Sequence, residues 1–326
     1  MQNSSPFFRV LLAGVVLAVV SLAHTAAAQS EAQGFALERM YLSAPGSGWF
    51  VMDDLSMHGG LGGALAVTTG YARKPLRVGS GSGRVPVVSD QLFTDFGFAA
   101  TIDRFRLYLN FDAPISTKGR SGTVSGYDFT APSLDLSNSP DSFADARLGT
   151  DVRVLGEFDS PFRLGVGAQL LFPTGKRFDY DSDGTYRAMG RALVAGNVRS
   201  FSYAGQIGAH VRPLNESPIP DTPRGSELLF GVAAGLKFPL RGSAGTVIVA
   251  GPEVFGETAF NSFFGSRSTG IEGLLTARIE ALSDRGALLR LKLGAGGGLE
   301  PHFGAPEWRL VCAIELSDQF VHAQEH

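Results

Sequence analysis

Alternation with a period of two dominates this chain, and its two parities differ in kind: one is apolar, the other carries isolated charges, glycines and amides. Between Phe162 and Phe172, the residues Phe162, Leu164, Val166, Ala168, Leu170 and Phe172 share a face, while Arg163, Gly165, Gly167 and Gln169 share the other. From Ala146, Leu148, Thr150, Val152 and Val154 oppose Arg147, Asp151, Arg153 and Glu157. Phe105, Leu107, Leu109 and Phe111 likewise alternate with Arg106, Tyr108, Asn110 and Asp112, and the pattern returns over 271–280, 289–295 and 309–316. It predicts strands over 61–73, 87–102, 105–113, 146–158, 162–172, 187–199, 202–212, 226–238, 245–257, 268–282, 287–297 and 306–316.

The connections between these strands alternate in length. Asp103-Arg104, Asp159 to Pro161, Ser200-Phe201, Pro239 to Ala244 and Ser283 to Gly286 are brief, whereas those between them are longer and polar, the longest running from Pro114 to Asp145. Short turns at one end and long loops at the other mark a transmembrane barrel. The segment from Phe162 to Phe172 would rise roughly 23 Å at about 3.3 Å per residue and a tilt near 45°, close to the apolar band of about 25 Å. The expected fold class is all-β, an antiparallel transmembrane β-barrel of about 12 strands. A secreted, soluble all-β protein fits the alternation equally well but gives no reason for the alternating loop lengths.

In a barrel the charged parity must face inward, because an arginine facing lipid at mid-depth costs about 2–4 kcal/mol. The candidate lumen-lining residues are Asp95, Arg106, Asp112, Arg147, Asp151, Arg153, Glu157, Arg163, Arg191, Arg199, Glu253, Glu272, Arg278, Glu280, Arg290, Lys292, Arg309 and Glu315. Both signs are represented, which argues against simple ion selectivity and for ion pairs that narrow or close the interior. Twelve strands enclose a lumen between filled eight-stranded barrels and open porins.

The ends and the composition add a compartment. Arg9, an apolar run from Val10 to Leu22 and the small residues Ala26-Ala27-Ala28 read as a secretory signal peptide over 1–28. Its removal takes the formal charge from −3 to −4, with no basic cluster to suit nucleic acid. The single cysteine, Cys312, leaves an exported chain without a disulfide framework. Residues 29–60, with Pro45, Trp49 and Phe50, form an N-terminal segment that is either a plug or a periplasmic rim element; the barrel follows over 61–320 and a tail over 321–326.

Several short motifs add a likeness. Asp145-Ala-Arg-Leu-Gly-Thr-Asp-Val-Arg-Val, Phe172-Pro-Thr-Gly175, Leu293-Gly-Ala-Gly-Gly-Gly-Leu299 and Gly304-Ala-Pro-Glu-Trp-Arg309 resemble the barrel module of OmpA-family outer-membrane proteins and related outer-membrane transporters. The resemblance implies a bacterial outer-membrane location, with membrane lipid, lipopolysaccharide and the barrel-assembly machinery as partners. The family's peptidoglycan-binding domain is not carried over, since the chain continues only about ten residues past the last strand. Leu310, Cys312, Ile314, Leu316 and Phe320 share a parity like that of the terminal insertion signal of such barrels, although six residues follow Phe320.

Candidate chemistry is sparse. Asp179, Asp181 and Asp183, followed by Gly184, begin like a calcium loop, but Gly190 stands where a bidentate glutamate belongs. No other cofactor is expected. His58, His210 and His302 fall into no triad spacing with a serine and an acid, so a membrane-embedded hydrolase ranks third. The leading expectation is a narrow channel or transporter for a small solute, followed by a closed structural barrel whose long loops bind partners.

Overall fold

The computed structural model describes residues 34–79, 83–124, 127–135, 143–214, 225–240, 245–283, 286–300 and 304–319. The signal segment, His302, Phe320 and the tail lie outside the described residues, as does part of the loop after the third strand.

The strands are β1 (Leu61–Val78), β2 (Val85–Ile102), β3 (Phe105–Lys118), β4 (Gly122–Val124), β5 (Tyr127–Phe129), β6 (Ser133–Asp135), β7 (Ala146–Leu155), β8 (Arg163–Phe172), β9 (Arg187–Val198), β10 (Phe201–Val211), β11 (Glu227–Pro239), β12 (Thr246–Ala259), β13 (Thr269–Leu282), β14 (Ala287–Glu300) and β15 (Trp308–Gln319). β1 pairs with both β2 and β15, so the sheet closes on itself through β3 and β7 to β14. The result is a closed barrel of 12 antiparallel strands; the three short strands β4 to β6 belong to the loop between β3 and β7.

The alternation now has a direction. Large apolar side chains point outward around the barrel, with Leu275 69 %, Leu293 65 % and Val232 63 % exposed. Arg147, Asp151 and Arg153, of opposite parity, are buried inside. A continuous apolar exterior of this kind far exceeds the patches carried by soluble monomers, and closure removes the unpaired strand edges that hydrocarbon would penalise. No described helix is long and apolar enough to cross a membrane.

At one end the strands are joined tightly, with Asp103 (φ 54°) and Arg199 (φ 54°) in the left-handed region to close two-residue turns. At the other end the barrel is taller than the sequence predicts. β1 runs on to Val78 because Lys74 (φ 47°) sits in a bulge that re-registers it against β2. β3 continues past Pro114, which pairs with Phe93 at another register shift, the kind of position where a strand tolerates proline.

Several glycines let rings lie flat on a neighbouring strand. Gly149 faces Tyr108 across β7 and β3, and a Cβ there would stand 2.2 Å from the Tyr108 ring. Gly70 under Phe93 repeats the arrangement, with a Cβ-to-ring distance of 2.5 Å.

Candidate functional site: a lumen closed by the N-terminal segment

Residues 34–57 run through the barrel from the long-loop end to the short-turn end. At the long-loop end the Leu37 N–H donates to the Tyr180 carbonyl at 3.0 Å and the Ala36 N–H to Asp183 at 2.8 Å. At the other end the chain joins β1, with the Gly60 N–H donating to Asp103 at 2.8 Å and the His58 ring packed on Phe158. Burial pushes the His58 imidazole down to about 4, so it is neutral at physiological pH.

The segment has little regular structure, and its backbone groups are satisfied by the charged wall. The Glu253 carboxylate accepts the N–H groups of Phe50 (2.8 Å), Val51 (2.9 Å) and Met52 (3.4 Å). Arg147 donates to the Leu42 carbonyl at 3.1 Å, and Arg153 to those of Leu55 (3.2 Å) and Met57 (2.6 Å). Arg290 donates to the Gly46 carbonyl at 2.6 Å and Lys292 to that of Trp49 at 3.2 Å. An irregular peptide offers donors and acceptors in turn, and left unpaired in a buried site each is costly. A wall of mixed sign supplies both kinds of partner.

Charges of the segment enter the same network. Asp53 accepts from Arg106, which also donates to Asp151 at 3.1 Å; Asp151 in turn accepts from Arg191 at 3.0 Å. The Tyr108 hydroxyl receives Arg191 at 2.9 Å and Gln169 at 2.8 Å. Arg309 is held by Glu272 at 2.7 Å and by Glu38 of the segment at 2.9 Å. Arg39 pairs with Glu257 at 3.0 Å and Glu227 at 3.3 Å. Between the charges Met40, Trp49, Phe50, Met52 and Leu55 pack on Leu193, Ala233, Phe255, Leu274 and Val311 of the wall. Arg278 lies 4.6 Å from the Trp49 ring centre and Lys292 5.1 Å from that of Phe50.

The interior is consequently filled. Spaces inside, lined by described residues, include about 40 Å³ beside His58 and Arg290, about 40 Å³ beside Tyr41 and Asp181, and about 20 Å³ beside Phe255. These are room for a few waters each.

Most sequence-derived lumen candidates lie inside. Asp95, Arg106, Arg147, Asp151, Arg153, Arg163, Arg191, Glu253, Glu272, Arg278, Arg290, Lys292, Arg309 and Glu315 are buried, and Asp112 is half-buried. Glu280, also half-buried, bridges Arg278 and Arg290 at 2.7 and 3.0 Å. Two candidates are corrected. Glu157 lies beyond the end of β7, after a register shift between Arg153 and Leu155, and pairs with Arg104 at the exposed rim. Arg199 is an exposed turn residue, because β9 ends at Val198 and parity ceases to apply there.

In the loop between β8 and β9, Asp179, Asp181 and Asp183 are all buried. Asp183 accepts two hydrogen bonds of 2.7 Å from Arg212, which, with Arg187, hold its carboxyl below the usual range despite its burial. An arginine thus occupies the oxygens of Asp183, one of the three carboxylates of the calcium-loop pattern. The set of acids and histidines close enough to share a metal ion among the described residues is instead His210, Glu227 and Glu257. Arg39 and Arg212 already neutralise those two glutamates. Glu227, Glu257 and Arg187 escaped the reading of the sequence although they obey its parity rule, and His210 entered it only as an isolated histidine. Glu38, Arg39 and Asp53 lie in a segment that has no period to read.

No protein-family model and no curated protein matches the chain. Among solved structures, an outer membrane channel from Pseudomonas putida F1 aligns over 80 % of this chain and 95 % of its own, with 12 % identity and a TM-score of 0.49. The NanC porin aligns over 78 % and 100 % at 8 % identity and a TM-score of 0.46. The CymD monoaromatic hydrocarbon channel aligns over 82 % and 90 % at 10 % identity and a TM-score of 0.42. These are likenesses of barrel shape.

Proposed function

We propose that this protein is a bacterial outer-membrane channel or transporter for a small solute, kept closed by residues 34–57. The observation that carries this reading is the nature of the filling: the lumen is occupied by one continuous segment, and the wall around it is charged. Bonds from Glu253, Arg147, Arg153 and Arg290 to peptide groups can be exchanged for bonds to water. Displacing the segment would therefore leave a hydrated, polar passage. The apolar exterior supports membrane insertion, with lipid and lipopolysaccharide as surroundings, and export rests on the signal-like sequence. A place in the OmpA family rests on its glycine-rich motifs alone.

Single-channel recording in planar bilayers tests the reading. The full chain should be mostly silent with occasional openings. Glu253→Ala, which removes the acceptor of three segment N–H groups, should open several-fold more often, since hydrogen bonds to a charged group are worth about 1.5–3 kcal/mol. Silence in both would favour the alternative, a closed structural barrel acting through its loops, which the small size of the internal spaces also supports.

A further inference from the structure

The space of about 40 Å³ at the long-loop end lies between the N-terminal segment and the ends of β2, β3 and β7. Its polar lining is lopsided. Four carboxyl groups reach it, and two are committed: Asp145 to Arg187 at 2.9 Å and Glu38 to Arg309 at 2.9 Å. The remaining two, Asp112 and Asp181, form no close ion pair among the described residues, although Asp112 is hydrogen-bonded to Asp95 and lies near Arg147. Asp181 is only 7 % exposed and its Oδ2 has no hydrogen-bond partner.

Gln91, on β2 and 4 % exposed, independently brings an unpaired Oε1 to the same space. Buried acceptors without donors are rare in folded proteins and call for an explanation. The rings of Tyr41, Phe93 and Tyr180 form the apolar part of the wall, and aromatic faces attract cations. Burial, with Asp179, Asp145 and Glu38 nearby, pushes the Asp181 carboxyl well above the ordinary carboxylate range. Arg147 and Arg187 also line the pocket, but they pair with Asp95, Asp145 and Asp183, which leaves Asp181 Oδ2 and Gln91 Oε1 without an N–H donor.

We propose that this pocket binds the primary ammonium group of an alkylamine, with Asp181 and Asp112 as counter-charges and the Gln91 carbonyl as a third acceptor. A bare metal ion suits it less well. Calcium needs oxygens at about 2.3–2.6 Å, and these carboxylates are not among the acids whose ligand atoms all approach within 4.8 Å of one another. An ammonium, by contrast, directs separate N–H groups to separated acceptors. Since Glu38 and Tyr41 belong to the plugging segment, an amine bound here touches the element that must move. As the cargo site of the channel this rests on the reading given above, but as a binding site it does not.

The test is calorimetric titration of the detergent-folded full chain with cadaverine, using 1,5-pentanediol as the uncharged analogue and calcium chloride as the metal. Saturable cadaverine binding, absent with pentanediol and weakened at least about tenfold by Asp181→Asn, is expected, as for loss of one charged hydrogen bond. Asp181→Asn keeps the side-chain shape and removes only the group that ionises on binding, so it should still fold. Asp112→Asn provides a second variant with the same expected loss. Equal binding of pentanediol, equal cadaverine affinity in both variants, or calcium binding in place of cadaverine would overturn the proposal. Cadaverine binding by a barrel that stays silent in bilayers would sustain the pocket while removing the channel; a conducting barrel indifferent to cadaverine would do the reverse.

Discussion

Asp151 shows what single residues contribute to the closed state. Fully buried, it holds Arg191 at 3.0 Å and Arg106 at 3.1 Å, and Arg106 also reaches Asp53 in the segment. Replacing such a pair with apolar groups can be neutral, but removing one partner strands the others. Asp151→Ala should therefore destabilise the folded barrel by about 3–5 kcal/mol, read as a lowered denaturant midpoint in detergent; an unchanged midpoint would mean that water already serves these arginines. Asp181 predicts a pH dependence of opposite character to an ordinary surface acid. It faces Asp179 on its own loop, Asp145 before β7 and Glu38 of the segment, with Arg147 and Arg187 lining the same pocket. Burial and these neighbouring carboxylates raise its pKa, so the empty site favours the protonated carboxyl more than a surface acid does, and an ammonium binds the deprotonated form. Cadaverine affinity should accordingly rise as pH increases through that raised value, with proton release on binding; affinity independent of pH would contradict this.

At the scale of strands, glycine and aromatic pairs lock neighbours together. A methyl group on Gly149 would collide with the Tyr108 ring at 2.2 Å, and that ring's hydroxyl anchors Arg191 and Gln169. Gly149→Ala should cost about 1–3 kcal/mol, typical of overpacking. Adding Tyr108→Ala should cost less than it does alone, a coupling that a double-mutant cycle would detect. Independence of the two would deny the contact. The strands themselves were legible because lipid and lumen impose opposite demands on alternate residues, so Leu148 and Arg147 declare their sides from the sequence. The rule fails where strands end: Arg199 and Glu157 keep the right parity but lie in turns. It also understates β1 and β3, since the bulges at Lys74 and Pro114 let strands outlast their pattern.

The whole molecule is a barrel and an occupant; the barrel is readable in the sequence, whereas the occupant enters it only as one of two alternatives for residues 29–60. Residues 34–57 carry no period because neither face of that segment meets a uniform solvent; Trp49 meets Arg278 while the neighbouring Phe50 N–H meets Glu253. The mixed charge of the inward parity suggests ion pairs across the interior that narrow or close it, and residues 29–60 read equally as a plug or a rim element. Much of that charge instead serves a peptide threaded through the middle, in keeping with the rule that irregular backbone survives at membrane depth only inside protein. The central claim is that this occupant closes the passage and that its movement opens it. A reversible lock tests it most directly. A Cβ on Gly46 would lie 3.9 Å from that of Ser317 on β15, within the range for a disulfide. Gly46 has φ 86°, so a cysteine there carries strain of about 1–3 kcal/mol. The measurement is bilayer conductance of Gly46→Cys with Ser317→Cys in a Cys312→Ser background. The account predicts silence when the disulfide is formed and openings that return on reduction, whereas openings that persist unchanged in the oxidised protein would contradict it.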